Sequence, residues 1–268
     1  MVAYFCSMRI SLFFILTLVA CGEAEIKRND HEVTVKETKP EEANKIEKQV
    51  DVMPLLTNQN CVEVLTQFGK EHPENRIVVE TQYGDIHIRL FDDTPLHRAS
   101  FVNAIQRGAF NPTEFLRVIK GFVIQGGNSE SFMAAQKRDA IGKYTIPSEI
   151  STRHLHFPGA LAMSRMYENN PEKRSSAFDF YIVDGKKVNS PELAQIEVDH
   201  DWKYTPEQRQ AYLKRGGAPH LDGDHTVFGE VIQGMEIVHK IASVETDEAD
   251  WPRMTESIVI RLSEENEK

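Results

Sequence analysis

Apolar positions change their spacing along this chain, and each spacing predicts a different element. Over Asn58 to about Lys70 (NQNCVEVLTQFGK), Val62, Leu65 and Phe68 recur every third residue, which predicts an amphipathic helix. Gly69 and Pro73 supply its stop signals. From Arg76 the period changes: RIVVETQYGDIHIRLF reads as two strands joined at the turn Tyr83-Gly84-Asp85. A helix is expected from about Pro95 to Gln106, with Gly108 at its end. Short strands separated by glycine-rich turns follow: FLRVI, FVIQ, GALAMS, FDFYIV and, later, TVFGEVI. A helix from about Gly234 to Ile241 and a last strand, SIVIRL, end the pattern. Many short strands, few helices and no regular strand–helix alternation predict a mainly β fold, an antiparallel barrel rather than a parallel sheet.

Three segments break that rhythm. Residues 186–218 contain two helix starts, Ser190-Pro191-Glu192 and Thr205-Pro206-Glu207, each a capping residue followed by proline. They read as a helical insertion in a β domain, serving as a lid, a docking surface or mere ornament. Residues 22–56 are charged and poor in aromatics; such a stretch buries too little apolar area to repay its ordering entropy and reads as a flexible tether. Before it, MVAYFCSMRISLFFILTLVACG carries Arg9, an apolar run from Ile10 to Ala20, and Cys21. The run is shorter than the about 20 residues a membrane span needs and fits the core of a signal peptide. Its end, Leu18-Val19-Ala20-Cys21, resembles the lipobox of bacterial lipoproteins, in which the signal is cut before a cysteine that is then lipidated. That resemblance implies lipidation at Cys21 and an exported, membrane-anchored protein facing the periplasm or cell surface; an ordinary signal peptide is the alternative. The domains expected are thus 1–21 signal, 22–56 tether, 57–75 helix and connector, and 76–263 barrel, with 186–218 inserted.

Composition narrows the picture further. The 268 residues carry a formal net charge of -10, which argues against a nucleic-acid partner, since such binding rests on lysine and arginine meeting phosphate. Of three cysteines, Cys6 and Cys21 belong to the signal, so Cys61 has no partner for an internal disulfide. It is expected to pack as a small apolar residue in the first helix. A monomer is expected.

One stretch, Glu114 to Ser129 (EFLRVIKGFVIQGGNS), is core-like yet has Arg117 in its middle. A guanidinium stays charged and is rarely buried without partners. Either Arg117 points outward from a half-buried strand and does nothing, or it projects into a cleft and serves a ligand.

The order of five segments bears on that choice. GDIHIRLFDDTPLHRASFVNAI, EFLRVIKGFVIQGG, FPGALAMS, FDFYI and HLDGDHTVFGEVIQGMEIVHKI resemble, in that order, the cyclophilin family, from about Arg76 to Leu262. The resemblance implies an eight-stranded antiparallel barrel capped by two helices, and peptidyl-prolyl cis–trans isomerase activity on proline-containing polypeptide clients, with no cofactor and no metal. It places Arg117 as the catalytic arginine, Phe122, Val123, Tyr181, Leu221 and His225 as the proline-pocket wall, and Gln125 as a glutamine that helps hold arginine and substrate. Phe115, Ile119, Ile124 and Phe228 are assigned to the core. The chain departs from the family at Asp179, where a second glutamine is common, and at Ser164-Arg165, where Ala-Asn is usual. Asp179 could pair with Arg117 or with Arg165. His220 stands where cyclosporin-sensitive members have tryptophan, which implies weak cyclosporin binding. His154-x-His156 would face one way on a strand, as two metal ligands must, but without a third ligand nearby it does not argue for a metal. The sequence therefore reads as an exported isomerase, with a catalytically weak proline-binding chaperone or scaffold as the rival.

Overall fold

The computed structural model describes residues 53–263, so the candidate signal peptide, Cys21 and nearly all of the tether lie outside the described residues. In chain order these residues form β1 (Leu56–Thr57), α1 (Cys61–Glu71), β2 (Arg76–Thr81), β3 (Gly84–Leu90), α2 (Pro95–Gln106), β4 (Thr113–Ile119), β5 (Val123–Gly126), α3 (Phe132–Ile141), β6 (Gly142–Lys143), β7 (Thr145–Ile146) and β8 (Ala160–Met163). There follow β9 (Ser175–Ser176), β10 (Phe180–Val183), α4 (Ser190–Asp199), α5 (Pro206–Arg215), β11 (Val227–Gln233), α6 (Met235–Ile241) and β12 (Glu256–Leu262). Eight strands close into a barrel in the order β10-β5-β4-β12-β2-β3-β11-β8, and every neighbouring pair is antiparallel. A closed sheet leaves no strand edge unpaired.

Alternation fills the interior. In the β2–β3 hairpin, Ile77 faces Ile88 and Val79 faces Ile86, and all four are buried. Phe115, Ile124, Leu161, Phe180, Ile182, Phe228 and Ile260 join them from the other strands, with Phe101 of α2 and Val238 and Ile241 of α6. The Phe101 ring meets Phe110, Phe180 and Phe228 at centroid distances of 4.9, 5.4 and 5.3 Å.

Helix α2 is buried at every position from His97 to Ile105, because α1 lies on the side away from the barrel. The apolar face of α1 is Cys61, Val64, Leu65 and Phe68, the i, i+3, i+4, i+7 set. Val62 is exposed instead, so the every-third reading chose one residue wrongly. Gly69 does not stop the helix but lies within it, where a Cβ would come within 3.1 Å of the Ala99 Cβ of α2. Cys61 is a buried free thiol in the first turn. Helix α3 has no apolar stripe to announce it, since Phe132 and Met133, its first apolar residues, are exposed; Ser131 caps it by accepting from the Ala134 N–H.

Residues 186–218 hold α4 and α5. Asn189, one residue before the expected Ser190, caps α4, and Thr205 with Gln208 forms a reciprocal capping box on α5. Their apolar residues make a small core of their own, in which Leu193, Ile196, Tyr204 and Tyr212 pack with Leu155 and Val188.

Candidate active site

A bulge in β4 decides where Arg117 points. On an unbroken strand Phe115, Arg117 and Ile119 would share a face, since side chains alternate. Phe115 pairs with Gly126 and Arg117 with Gln125, so two residues of β4 advance against one of β5. Leu116 is the extra residue, and the alternation slips by one. Phe115 and Val118 therefore enter the core while Arg117 is exposed; Ile119, expected in the core, is only half-buried. The guanidinium lies outside the barrel on the same face as the Gln125 side chain.

That outer face carries a second apolar cluster. In β10, Phe180 and Ile182 point inward, while Tyr181 and Val183 point outward to join Val123, Ala162, Leu221 and Val227, with Phe122 packed against them. A hollow of about 200 Å³ opens there, lined by Arg117, Phe122, Val123, Gln125, Ser164, Arg165, Tyr167, Asp179, Tyr181, Leu221 and His225. The fold thus gathers every residue singled out from the sequence for this site except His220, which lies beside the hollow with its ring 5.2 Å from that of Phe122. Tyr167 was not foreseen; its polar neighbours in the sequence carry no periodic signal.

The charged groups are paired differently from either sequence expectation. Arg117 Nε donates to Asp250 Oδ2 at 3.3 Å, and the Asp250 carbonyl accepts from the Val118 N–H at 2.9 Å. With both partners nearly half exposed, that contact holds Arg117 only weakly. Arg165 turns away from Asp179. Its Nε donates to the Asp224 carbonyl at 2.6 Å, Nη2 lies 3.3 Å from Asp224 Oδ1, and the guanidinium stacks 4.3 Å over the Tyr167 ring. Asp224 also meets Lys173 at 2.9 Å and His200, at the end of α4, at 3.4 Å. Asp179 accepts instead from Gln125 Nε2 at 2.9 Å. Burial raises its pKa, and hydrogen bonds from Gln125 and Ser164 only partly offset this. Asp250 was legible in sequence only as one acid among several near the chain's end.

His225 is held neutral. Burial, and after it the neighbouring His156, pushes its pKa down to about 4. Its Nδ1–H donates to the Met163 carbonyl at 3.1 Å, which leaves Nε2 to accept from the Tyr167 hydroxyl at 2.8 Å. Because the shift is downward, the stability His225 contributes is complete above the ordinary 6.5 and is lost as pH falls towards about 4.

His154 and His156 do not act together. The segment between them is irregular rather than a strand. His154 Nε2 meets Asp93 Oδ1 at 2.7 Å near the surface, whereas His156 is fully buried and its Nδ1 meets Asp222 Oδ1 at 2.7 Å.

Residues 76–263 match the family model described as cyclophilin type peptidyl-prolyl cis-trans isomerase. A relative from Staphylococcus haemolyticus, named for peptidyl-prolyl cis-trans isomerase activity, is 32% identical over 190 residues, covering 69% of this chain and 90% of its own. A second, from Staphylococcus epidermidis and named likewise, is 31% identical over 189 residues, covering 69% and 91%. Among solved structures, a Cryptosporidium parvum cyclophilin determined in the presence of the dipeptide Ala-Pro superposes with a TM-score of 0.50 at 21% identity, over 71% of this chain and 99% of its own. Fold and family together define a cyclophilin-type enzyme. The chain belongs to the cyclophilin family and is a peptidyl-prolyl cis-trans isomerase.

Proposed function

We propose that isomerisation occurs in the hollow on the outer face of the barrel, with Arg117 as the catalytic residue and Phe122, Val123, Tyr181, Leu221 and His225 as the wall for the proline ring. The observation that carries this reading is the β4 bulge, which sets a cation beside an apolar hollow. The barrier to turning a peptide bond is about 18–20 kcal/mol, because the nitrogen lone pair is shared with the carbonyl. In the twisted state that lone pair returns to a pyramidal nitrogen. A donor held there binds the transition state better than either planar isomer. Arg117, with only Nε drawn to Asp250, keeps its two Nη groups for the prolyl nitrogen. The apolar wall seats the ring and excludes water, and neutral His225 adds no competing charge. Clients are polypeptides presenting an X-Pro bond.

The test is two-dimensional exchange NMR on a short X-Pro peptide with the purified chain, which detects binding and turnover in one sample. Cis–trans exchange cross-peaks that appear only with the protein are expected. Binding without exchange would favour the rival, a proline-recognition module, and two observations lean that way: Asp179 occupies a position where a donor is usual, and Arg117 is drawn towards Asp250. Asp179→Gln should accordingly preserve or raise kcat/KM, because glutamine keeps an acceptor for Gln125 and adds a donor. A fall of more than about tenfold would show that the carboxylate itself is needed.

We further propose that the enzyme is exported and tethered by lipid at Cys21, a reading supported by Leu18-Val19-Ala20-Cys21 after an apolar run and by the charged stretch that follows. A Cys21→Ser variant should leave the lipid-labelled membrane fraction; its persistence there would sink this reading.

A further inference from the structure

Between the helical insertion and the proline-pocket wall runs an unbroken line of buried hydrogen bonds. Its hub is Asp222, whose side chain is fully buried. Oδ1 accepts from the His156 backbone N–H at 2.9 Å and from His156 Nδ1 at 2.7 Å. Oδ2 accepts from Tyr204, between α4 and α5, at 2.8 Å and from Tyr212 of α5 at 2.6 Å. Four donors meet about four lone-pair sites, so the carboxylate is saturated by the chain itself. His156 donates from Nδ1 and turns Nε2 to the Tyr181 hydroxyl at 3.0 Å, and Tyr181 itself lines the hollow.

The protons are fixed at the insertion end of this line. Burial raises the pKa of Tyr181, Tyr204 and Tyr212, and the charge on Asp222 adds to it, so all three remain donors. The two insertion tyrosines and His156 Nδ1 donate to Asp222, and the Tyr181 hydroxyl and His156 Nε2 share the last bond of the line. Each bond fixes the orientation of the next group, as buried polar networks do. The return of the insertion is held just as closely. Gly217, at φ 139°, passes where a Cβ would lie 2.4 Å from the His156 carbonyl, and the Ala218 N–H donates to that carbonyl at 2.9 Å.

We propose that Tyr204 and Tyr212 are positioning residues for the isomerase, which set the Tyr181 face of the proline pocket through Asp222 and His156. The insertion is thereby part of the pocket's support rather than ornament. This rests on the pocket assignment above. Tyr181 meets the proline ring in planar and twisted states alike, so a loosened Tyr181 weakens both equally. The cost falls on KM, with kcat held.

The experiment is a mutant cycle on the full chain, with kcat and KM for an X-Pro peptide measured for the parent, Tyr204→Phe/Tyr212→Phe, Tyr181→Phe and the triple variant. Phenylalanine keeps the rings and removes only the hydroxyls. The double variant should raise KM about three- to tenfold at nearly constant kcat, the coupling expected of groups in one network. Its Tyr181 ring resonances should shift. In the Tyr181→Phe background the same two substitutions should change KM no further, because the line is already cut. Equal KM increases in both backgrounds, or a fall in kcat alone with thermal stability, would show that the tyrosines act only on the fold and would overturn the proposal. Failure of the pocket assignment itself has a different signature: the peptide would then leave the resonances of Phe122 and Leu221 unmoved in the parent.

Discussion

Arg117→Ala should lower turnover of an X-Pro peptide by about 10²–10³-fold, the effect of removing one preorganised donor from a transition state. The loss should appear in kcat and kcat/KM together, because planar isomers offer the guanidinium little to bind. Stability should hardly move. Arg117 is exposed and, among the described residues, pairs with the half-exposed Asp250 and packs into no core cluster. Exposed ion pairs of this kind contribute about 0–1 kcal/mol. The measurement is exchange NMR for turnover, with thermal unfolding of the same sample. A variant that exchanges the peptide as fast as the parent would refute the assigned chemistry while leaving the fold and family intact. The contact with Asp250 does not take Arg117 out of the hollow, whose lining includes the arginine. Its Nε bond is long at 3.3 Å, and a bound prolyl amide competes with it from within a drier site.

Legibility in the sequence followed the physics of each element. The β2–β3 hairpin and the barrel class were readable because one face of each strand is apolar and the turns carry glycine, and period-two alternation is a strong local signal. The β4 bulge was not readable. It consists of one unpaired residue, Leu116, whose identity is ordinary; only the register against β5 reveals it. Alternation carried straight through it would set Phe115, Arg117 and Ile119 on one face, whereas Ile119, expected in the core, is only half-buried. Segments such as FYIV, apolar on both faces, hid the second cluster beside the hollow, since periodicity cannot say which apolar residue faces outward. The pairing of charges was further still from view. Arg165 chooses Asp224, and Asp179 chooses Gln125, because chain segments distant in sequence meet there. Resemblance to a family could place Asp179 and Arg165 in the pocket but could not say which partner either would take, since both stand where the family has other residues. Likewise, the capping residues announced the insertion helices, while the burial of Tyr204 and Tyr212 against Asp222 depends on how those helices lie on the barrel.

Asp222→Ala should cost about 3–5 kcal/mol of stability, the scale for removing a buried charge and orphaning its donors. Four donors lose their acceptor at once: the His156 backbone N–H, His156 Nδ1, and the Tyr204 and Tyr212 hydroxyls. One can recover in part, since Tyr204 already lies 3.1 Å from the Pro219 carbonyl. The others sit where side chains are fully or almost fully buried, and alanine leaves a void that only water could fill. For a domain of this size the loss corresponds to a midpoint lower by about 6–20 °C, readable by thermal unfolding or by a shift in urea midpoint. The cost should far exceed that of Arg117→Ala, although both remove one charged side chain near the same hollow. Arg117 is solvated and, in the proposed reading, acts on a ligand, whereas Asp222 has surrendered its solvation to the chain. A loss below about 1 kcal/mol would mean that water takes over the four bonds. In that case the line from insertion to pocket could not be rigid, and the KM effect of the Tyr204→Phe/Tyr212→Phe variant should vanish with it.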